Sequence, residues 1–376
     1  MENSLLRISI TNYGDDSRIC RVIKKARKGE HIVIGVIGGS ITVGGNASKY
    51  ENSYAQLITK WWRAAFPQSR FELINAGLGA SGSYIGASRL QRDLLRKKPD
   101  FVVIEFSVND YERTLLNLET TEGLLRQILD DPNKPGIVMM HTFRKDGSSS
   151  EDILSPIGKY YDIPMISMKS ALYPLILSGR ASWADFSKDD VHPNDRGHAY
   201  MAHCLTRFLY DLSLRAGNCK SISPLLPPPL ISDEFQYAKI FNADSIRPVE
   251  AKNIREEFVL IDPTYERLGR AWTLLGRDSE LLFRVKGESI GILGLRLPNN
   301  DLGRVSIHLD GNPPIFLNEE NQESYAWPPY VIIGRKLDGK EHVVRIRNLG
   351  RKKSIILAIM TSERPVSSSK TAMLKE

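Results

Sequence analysis

Apolar and polar positions follow two different rhythms along this chain. Up to about residue 216, compact apolar runs alternate with stretches of helical spacing. The runs His31–Ile37, Phe71–Asn75, Phe101–Phe106, Gly136–His141 and the short Pro164–Ser167 predict strands buried on both faces. Between them, Tyr54–Phe66, Ile85–Arg96 and Thr121–Leu129 place apolar residues at helical intervals, and Gly197–Leu212 predicts a long amphipathic helix. Strands separated by helices imply a mainly parallel sheet covered on both faces. That is a three-layer α/β/α arrangement.

The rhythm breaks at Ala216–Glu234. Gly217, Pro224 and the run Pro227-Pro228-Pro229 can neither continue a helix nor donate to a sheet ladder. A stiff connector between two domains is the expectation, with a PxxP ligand for an SH3-type partner as the rival reading. Beyond it the texture is all-β. Leu281–Lys286, Ser289–Leu297, Arg304–Leu309, Tyr330–Ile333, His342–Arg347 and Ser354–Met360 read as short strands. Turn signals at Pro298-Asn299-Asn300-Asp301, Asp310-Gly311-Asn312 and Asp338-Gly339 separate them. So many short strands point to a β-sandwich. The expected division is residues 1–217, a proline-rich linker over 218–234, and a β-sandwich over 235–376.

Composition changes this picture little. The 376 residues are 41% hydrophobic and 25% charged, which excludes a disordered or fibrous chain. No apolar run reaches the roughly 18 residues of a membrane span. The N-terminus has no basic segment leading into a long apolar stretch, so a cytoplasmic location is expected. Cys20, Cys204 and Cys219 are an odd, scattered set that suits a reducing compartment and excludes a disulfide framework or a cysteine-based zinc site. The net charge of +7 is spread evenly: 29 basic and 24 acidic residues up to 220, then 22 and 20. Short basic clusters at Lys24–Lys28, Arg96–Lys98 and Arg351–Lys353 lack interleaved aromatics, so they read as solvated surface and not as a nucleic-acid interface.

Four segments carry candidate chemistry. Gly38-Gly39-Ser40-Ile41-Thr42 follows the first strong strand, where a serine on a strand-to-helix turn exposes its hydroxyl and aims its own N–H at a developing oxyanion. The lysine of a phosphate-binding P-loop is missing there. Asp189-Asp190-Val191-His192 precedes the last helix of the α/β part. An Asp three residues before a His can bend back to accept from its Nδ1–H, which leaves Nε2 to take a proton from a serine. Asp190 is the adjacent competitor. Ser107-Val108-Asn109-Asp110 ends the strand that begins at Phe101, and the Asn109 amide can donate to an oxyanion or cap the next segment. Asn75-Ala76-Gly77-Leu78-Gly79-Ala80-Ser81-Gly82 matches G-x-G-x-x-G. However, the acid expected at the end of a second strand is absent, since Asp100 only precedes the next strand, so a backbone oxyanion donor is the better reading. His192, His198 and His203 show no zinc-binding spacing, and the latter two read as helix-packing residues. No metal and no organic cofactor is expected.

The order serine, glycine-rich loop, Asn, Asp-x-x-His resembles the SGNH hydrolases, also called the GDSL family, over roughly residues 30–212. The resemblance implies a flavodoxin-like fold, with Ser40 as nucleophile, His192 as general acid/base and Asp189 as its orienting acid. It implies an oxyanion hole of the Ser40 N–H, a second-block N–H assigned to Gly79 with Ala80 as the alternative, and the Asn109 side chain. Three positions depart from the family pattern. Gly39 stands where Asp is usual, Ser107 where Gly is frequent, and Ala80 where the second block usually has Gly. Glu280–Gly287 and Val305–Gly311 resemble the jelly-roll module that accompanies such domains in some carbohydrate O-acetylesterases. There Trp272, Trp327 and Tyr330 either stack on sugar rings or pack in the core. The implied activity is hydrolysis of a small acyl ester, acetyl first, on an oligosaccharide or other small-molecule substrate through an acyl-enzyme. An acyltransferase, a lipid or thioester hydrolase, and a non-catalytic carbohydrate binder are the alternatives.

Overall fold

Five apolar runs become the parallel strands of one sheet. The computed structural model describes residues 3–216, 221–222, 225–261, 264–298, 301–317 and 325–365. Residues 217–220 and 223–224 of the expected linker region, and Asn299 and Asn300 of the expected turn, lie outside the described residues. The first part runs α1 (Asn3–Ile8), β1 (Ile10–Asn12), α2 (Ser17–Arg27), β2 (Ile32–Gly38), α3 (Ser40–Val43), α4 (Tyr54–Ala65), β3 (Phe71–Gly77) and α5 (Ser83–Asp93). It continues through β4 (Phe101–Glu105), α6 (Leu115–Asp130), β5 (Gly136–His141), α7 (Glu151–Tyr160), β6 (Met165–Ser167), α8 (Met168–Leu177) and α9 (Asp195–Arg215).

Strand order is β1-β6-β5-β4-β2-β3, with β2 to β6 parallel and only the short edge strand β1 antiparallel. Successive side chains point to opposite faces. Ile34, Val36, Phe101 and Val103 therefore join one core with residues of α2, α4 and α9, while Ile37, Val102 and Ile104 join another with residues of α5, α6 and α7. The chain leaves β2 for β3 on one side and returns with β4 on the other. Such a reversal opens a crevice at the carboxyl ends of the two strands, where ligands bind in open α/β sheets.

The second part holds β7 (Ala238–Phe241), β8 (Glu250–Lys252), β9 (Ile254–Phe258), β10 (Arg270–Leu274), β11 (Glu280–Lys286), β12 (Ser289–Gly294), β13 (Val305–Leu309), β14 (Ile315–Leu317), β15 (Tyr330–Gly334), β16 (Glu341–Asn348) and β17 (Ser354–Ser362). They form two antiparallel sheets, β15-β12-β17-β10-β9 with β7 beside β17, and β14-β13-β16-β11-β8. Trp272, Ile292 and Ile356 of one sheet meet Phe283, Ile307 and Ile346 of the other in a shared core. Trp272 is fully buried and lies edge-on to Phe283, so it is a core residue and not a sugar platform. Trp327 is half-buried with the Arg296 guanidinium 5.4 Å from its ring. Tyr330 packs on Tyr84 of α5 with ring centroids 4.8 Å apart.

All nine residues of β17 are buried. Ile356 and Ile359 face the sandwich core, while Ile355, Leu357 and Met360 join Leu90, Leu124 and Phe235 in the core beneath α5 and α6. The proline-rich segment is fastened and does not hang free. The Glu122 carboxylate on α6 accepts the N–H groups of Leu230, Ile231 and Ser232, and Arg126 donates to Pro227 O at 2.7 Å. On α9, His198 is buried whereas His203 is exposed, so His203 does no packing.

Candidate active site

Ser40 opens α3 directly beyond β2, and its hydroxyl lies 2.8 Å from His192 Nε2. His192 Nδ1 is 2.9 Å from Asp189 Oδ2, which fixes the Nδ1–H tautomer and leaves Nε2 as the acceptor for the Ser40 O–H. Asp189 is held in turn. Its Oδ1 accepts the N–H of Val191 (2.7 Å) and of His192 (2.6 Å), and its Oδ2 also accepts from Asn46 Nδ2 at 2.7 Å. Partial burial opposes ionisation of Asp189, but these donors together with the imidazole outweigh it and hold the carboxyl down at about 2. Asp190 turns away and pairs with Lys145 at 3.3 Å. Of the two adjacent carboxylates, Asp189 is the one on the imidazole.

Asn109 follows β4, the strand beside β2. A Cβ on Gly39 would fall 2.2 Å from Asn109 Oδ1, so only glycine lets the amide lie against the turn that carries Ser40. Ser107 uses its hydroxyl where glycine has none: it donates to Glu105 Oε1 (3.0 Å) and accepts the Thr142 N–H (2.8 Å). Burial pushes the Glu105 carboxyl up, against hydrogen bonds from Thr142 and Ser107. Gly79 lies in the turn after β3, where the Leu78 N–H donates to Gly38 O at 3.0 Å and ties that turn to the Ser40 strand. Ala80 adopts φ +51°, a left-handed conformation that glycine enters without the Cβ penalty.

Two further residues complete the enclosure, and sequence reading had not singled either out for this. Asn46 is one. The other is His198, whose Nε2 bonds Gly45 O (3.1 Å) while its Nδ1 takes the Tyr54 N–H (3.3 Å). A Cβ on Gly45 would stand 3.0 Å from His192 Cδ2, so glycine lets this loop close against the imidazole. The available signal was only a Gly-Asn turn and a helical His. Among the described residues no group of three or more His, Cys, Asp or Glu side chains is placed to hold a metal ion. No helix among them is long and apolar enough to cross a membrane.

Residues 36–200 match the GDSL-like lipase/acylhydrolase family. The chain is accordingly a carboxylic ester hydrolase. Over both parts it is similar to a two-domain esterase (CEX) active on acetylated mannans. The structure of that esterase with mannopentaose is 29% identical, with a TM-score of 0.87 over 96% of this chain and 98% of the other. A second structure of that esterase is 28% identical, with a TM-score of 0.89 over 96% of this chain and 99% of the other. An acetylxylan esterase of Geobacillus stearothermophilus is 24% identical over 211 residues, 49% of this chain and 95% of that protein.

Proposed function

We propose that this chain is a serine esterase that removes acetyl groups from a polysaccharide, with acetylated mannan as the first substrate to test. The observation that carries the mechanism is the continuous hydrogen-bond chain from Ser40 Oγ through His192 to Asp189, at the carboxyl ends of β2 and β4. His192 takes the Ser40 proton as Oγ attacks the acetyl carbonyl. The Ser40 N–H, the Asn109 amide and a backbone N–H of the Gly79–Ala80 turn receive the negative oxygen. Collapse expels the sugar oxygen, which His192 protonates, and leaves Ser40 acetylated. Water, deprotonated by His192, then releases acetate and returns the proton to Ser40. The substrate class is supported by the likeness to the mannan-active esterase, which extends through the β-sandwich as well as the α/β part.

Ser40→Ala should abolish release of acetate from acetylated mannan and from p-nitrophenyl acetate with the fold intact. Retained turnover, or failure of a fluorophosphonate probe to label Ser40 in the wild type, would overturn the serine mechanism. Acetate release from acetylated xylan but not from mannan would overturn the substrate class alone.

A further inference from the structure

β3 is an edge strand of the parallel sheet and, among the described residues, pairs with β2 alone. An edge strand leaves outward carbonyls without sheet partners. Two of them, on Asn75 and Gly77, are capped by Nη1 of Arg267, which comes from the turn Tyr265–Leu268 of the β-sandwich part. The flanking Tyr265 and Leu268 are buried in the core shared with α5 and α6, so the turn that carries Arg267 is fixed to the α/β part. From the inner side, Arg89 of α5 donates to Ala76 O and to Gly38 O (3.1 Å). Two guanidinium groups thus converge on the carbonyls of Gly38, Asn75, Ala76 and Gly77, immediately before Ser40 and before the Gly79–Ala80 turn.

Burial pulls the Arg89 guanidinium down to about 10, against the Asp93 carboxylate 3.3 Å away, and the Arg267 charge adds to the lowering. We infer that Arg267 is a positioning residue for the ester hydrolysis: the β-sandwich part reaches across and sets the strand end from which the oxyanion-binding turn departs. This inference rests on the proposed serine mechanism.

A displacement of about 1 Å in a group that binds the transition state can lower turnover by two orders of magnitude. With p-nitrophenyl acetate, whose small size confines it to the reacting centre, Arg267→Ala should lower kcat about 10-fold or more with KM changed less than about 2-fold, and should slow fluorophosphonate labelling of Ser40. Arg267→Lys, which keeps a cationic N–H donor on a shorter side chain, should recover part of kcat. Arg335→Lys provides the comparison. It weakens the contacts of Arg335 with Glu119 and Glu234, also between the two parts, and should lower Tm while kcat stays unchanged. Unchanged kcat in Arg267→Ala, or an equal loss in Arg335→Lys, would refute the positioning role. Activity surviving in Ser40→Ala would instead refute the underlying mechanism, so the two failures are distinct.

Discussion

Asp110 stands one residue beyond Asn109 and is 1% exposed, with its Oδ1 accepting the Ser83 N–H at 2.9 Å. Burial, only partly offset by that bond, pushes its carboxyl up to about 7. The folded chain therefore keeps a proton that the unfolded chain loses near pH 4, so unfolding releases a proton between those limits. Stability should fall as pH rises from about 4 to about 7 and level off above, by on the order of 2–4 kcal/mol from this group. Asp110→Asn removes the titration. Its Tm relative to wild type should climb from pH 4 to pH 8, and a difference independent of pH would show that the group does not titrate there. At this scale the sequence was informative where chemistry is local: Asp189 and His192 lie three residues apart, within one turn. Asn46 and Arg267 were illegible because their partners lie 143 and 192 residues away along the chain, brought near only by the fold.

The loop between α3 and α4 is fastened to the start of α9 at several points. Asp195 accepts from the Ser48 N–H (2.7 Å) and from Asn52 Nδ2 (2.8 Å), His198 holds Gly45 and Tyr54, and Asn46 reaches Asp189. These ties connect the segment bearing Ser40 to the segment bearing His192. Asn46→Ala should lower kcat by about 5- to 10-fold, close to the ~1 kcal/mol of one hydrogen bond, with a modest fall in Tm because Asn46 adopts φ +63°, a left-handed conformation that alanine disfavours. Asn46→Asp, which sets a like charge on Asp189, should cost more. An undiminished kcat in both variants would show that Asp189 needs no second side-chain donor. The inner parallel strands β2, β4 and β5 were legible as elements because they are buried on both faces. By contrast β8 and β9, Glu-Ala-Lys and Ile-Arg-Glu-Glu-Phe, bury no residue fully and carry no apolar alternation. Helices α7 and α8 were missed with Pro156 and Pro174 inside them, residues that argue against a helix until packing overrides propensity.

Across the whole molecule, the α/β part and the sandwich are joined through α5, α6 and β17. Glu122 is the central fastening, since one carboxylate satisfies three successive backbone N–H groups as well as the Tyr161 hydroxyl. Glu122→Ala should destabilise the protein by about 2–4 kcal/mol, read as a lowered Tm, because buried donors are left unpaired. A change below about 0.5 kcal/mol would mean that water replaces the carboxylate without loss. The connector expected as a spacer is therefore a docked strap, which prolines signalled as stiff but could not signal as bound. The two-sided burial of β17 carries a consequence for heredity and for engineering alike. A module whose central strand doubles as its neighbour's wall cannot be exchanged as a cassette. Any recombination that grafts this sandwich elsewhere must carry the matching surface of α5 and α6 with it, so the two halves are constrained to diverge together.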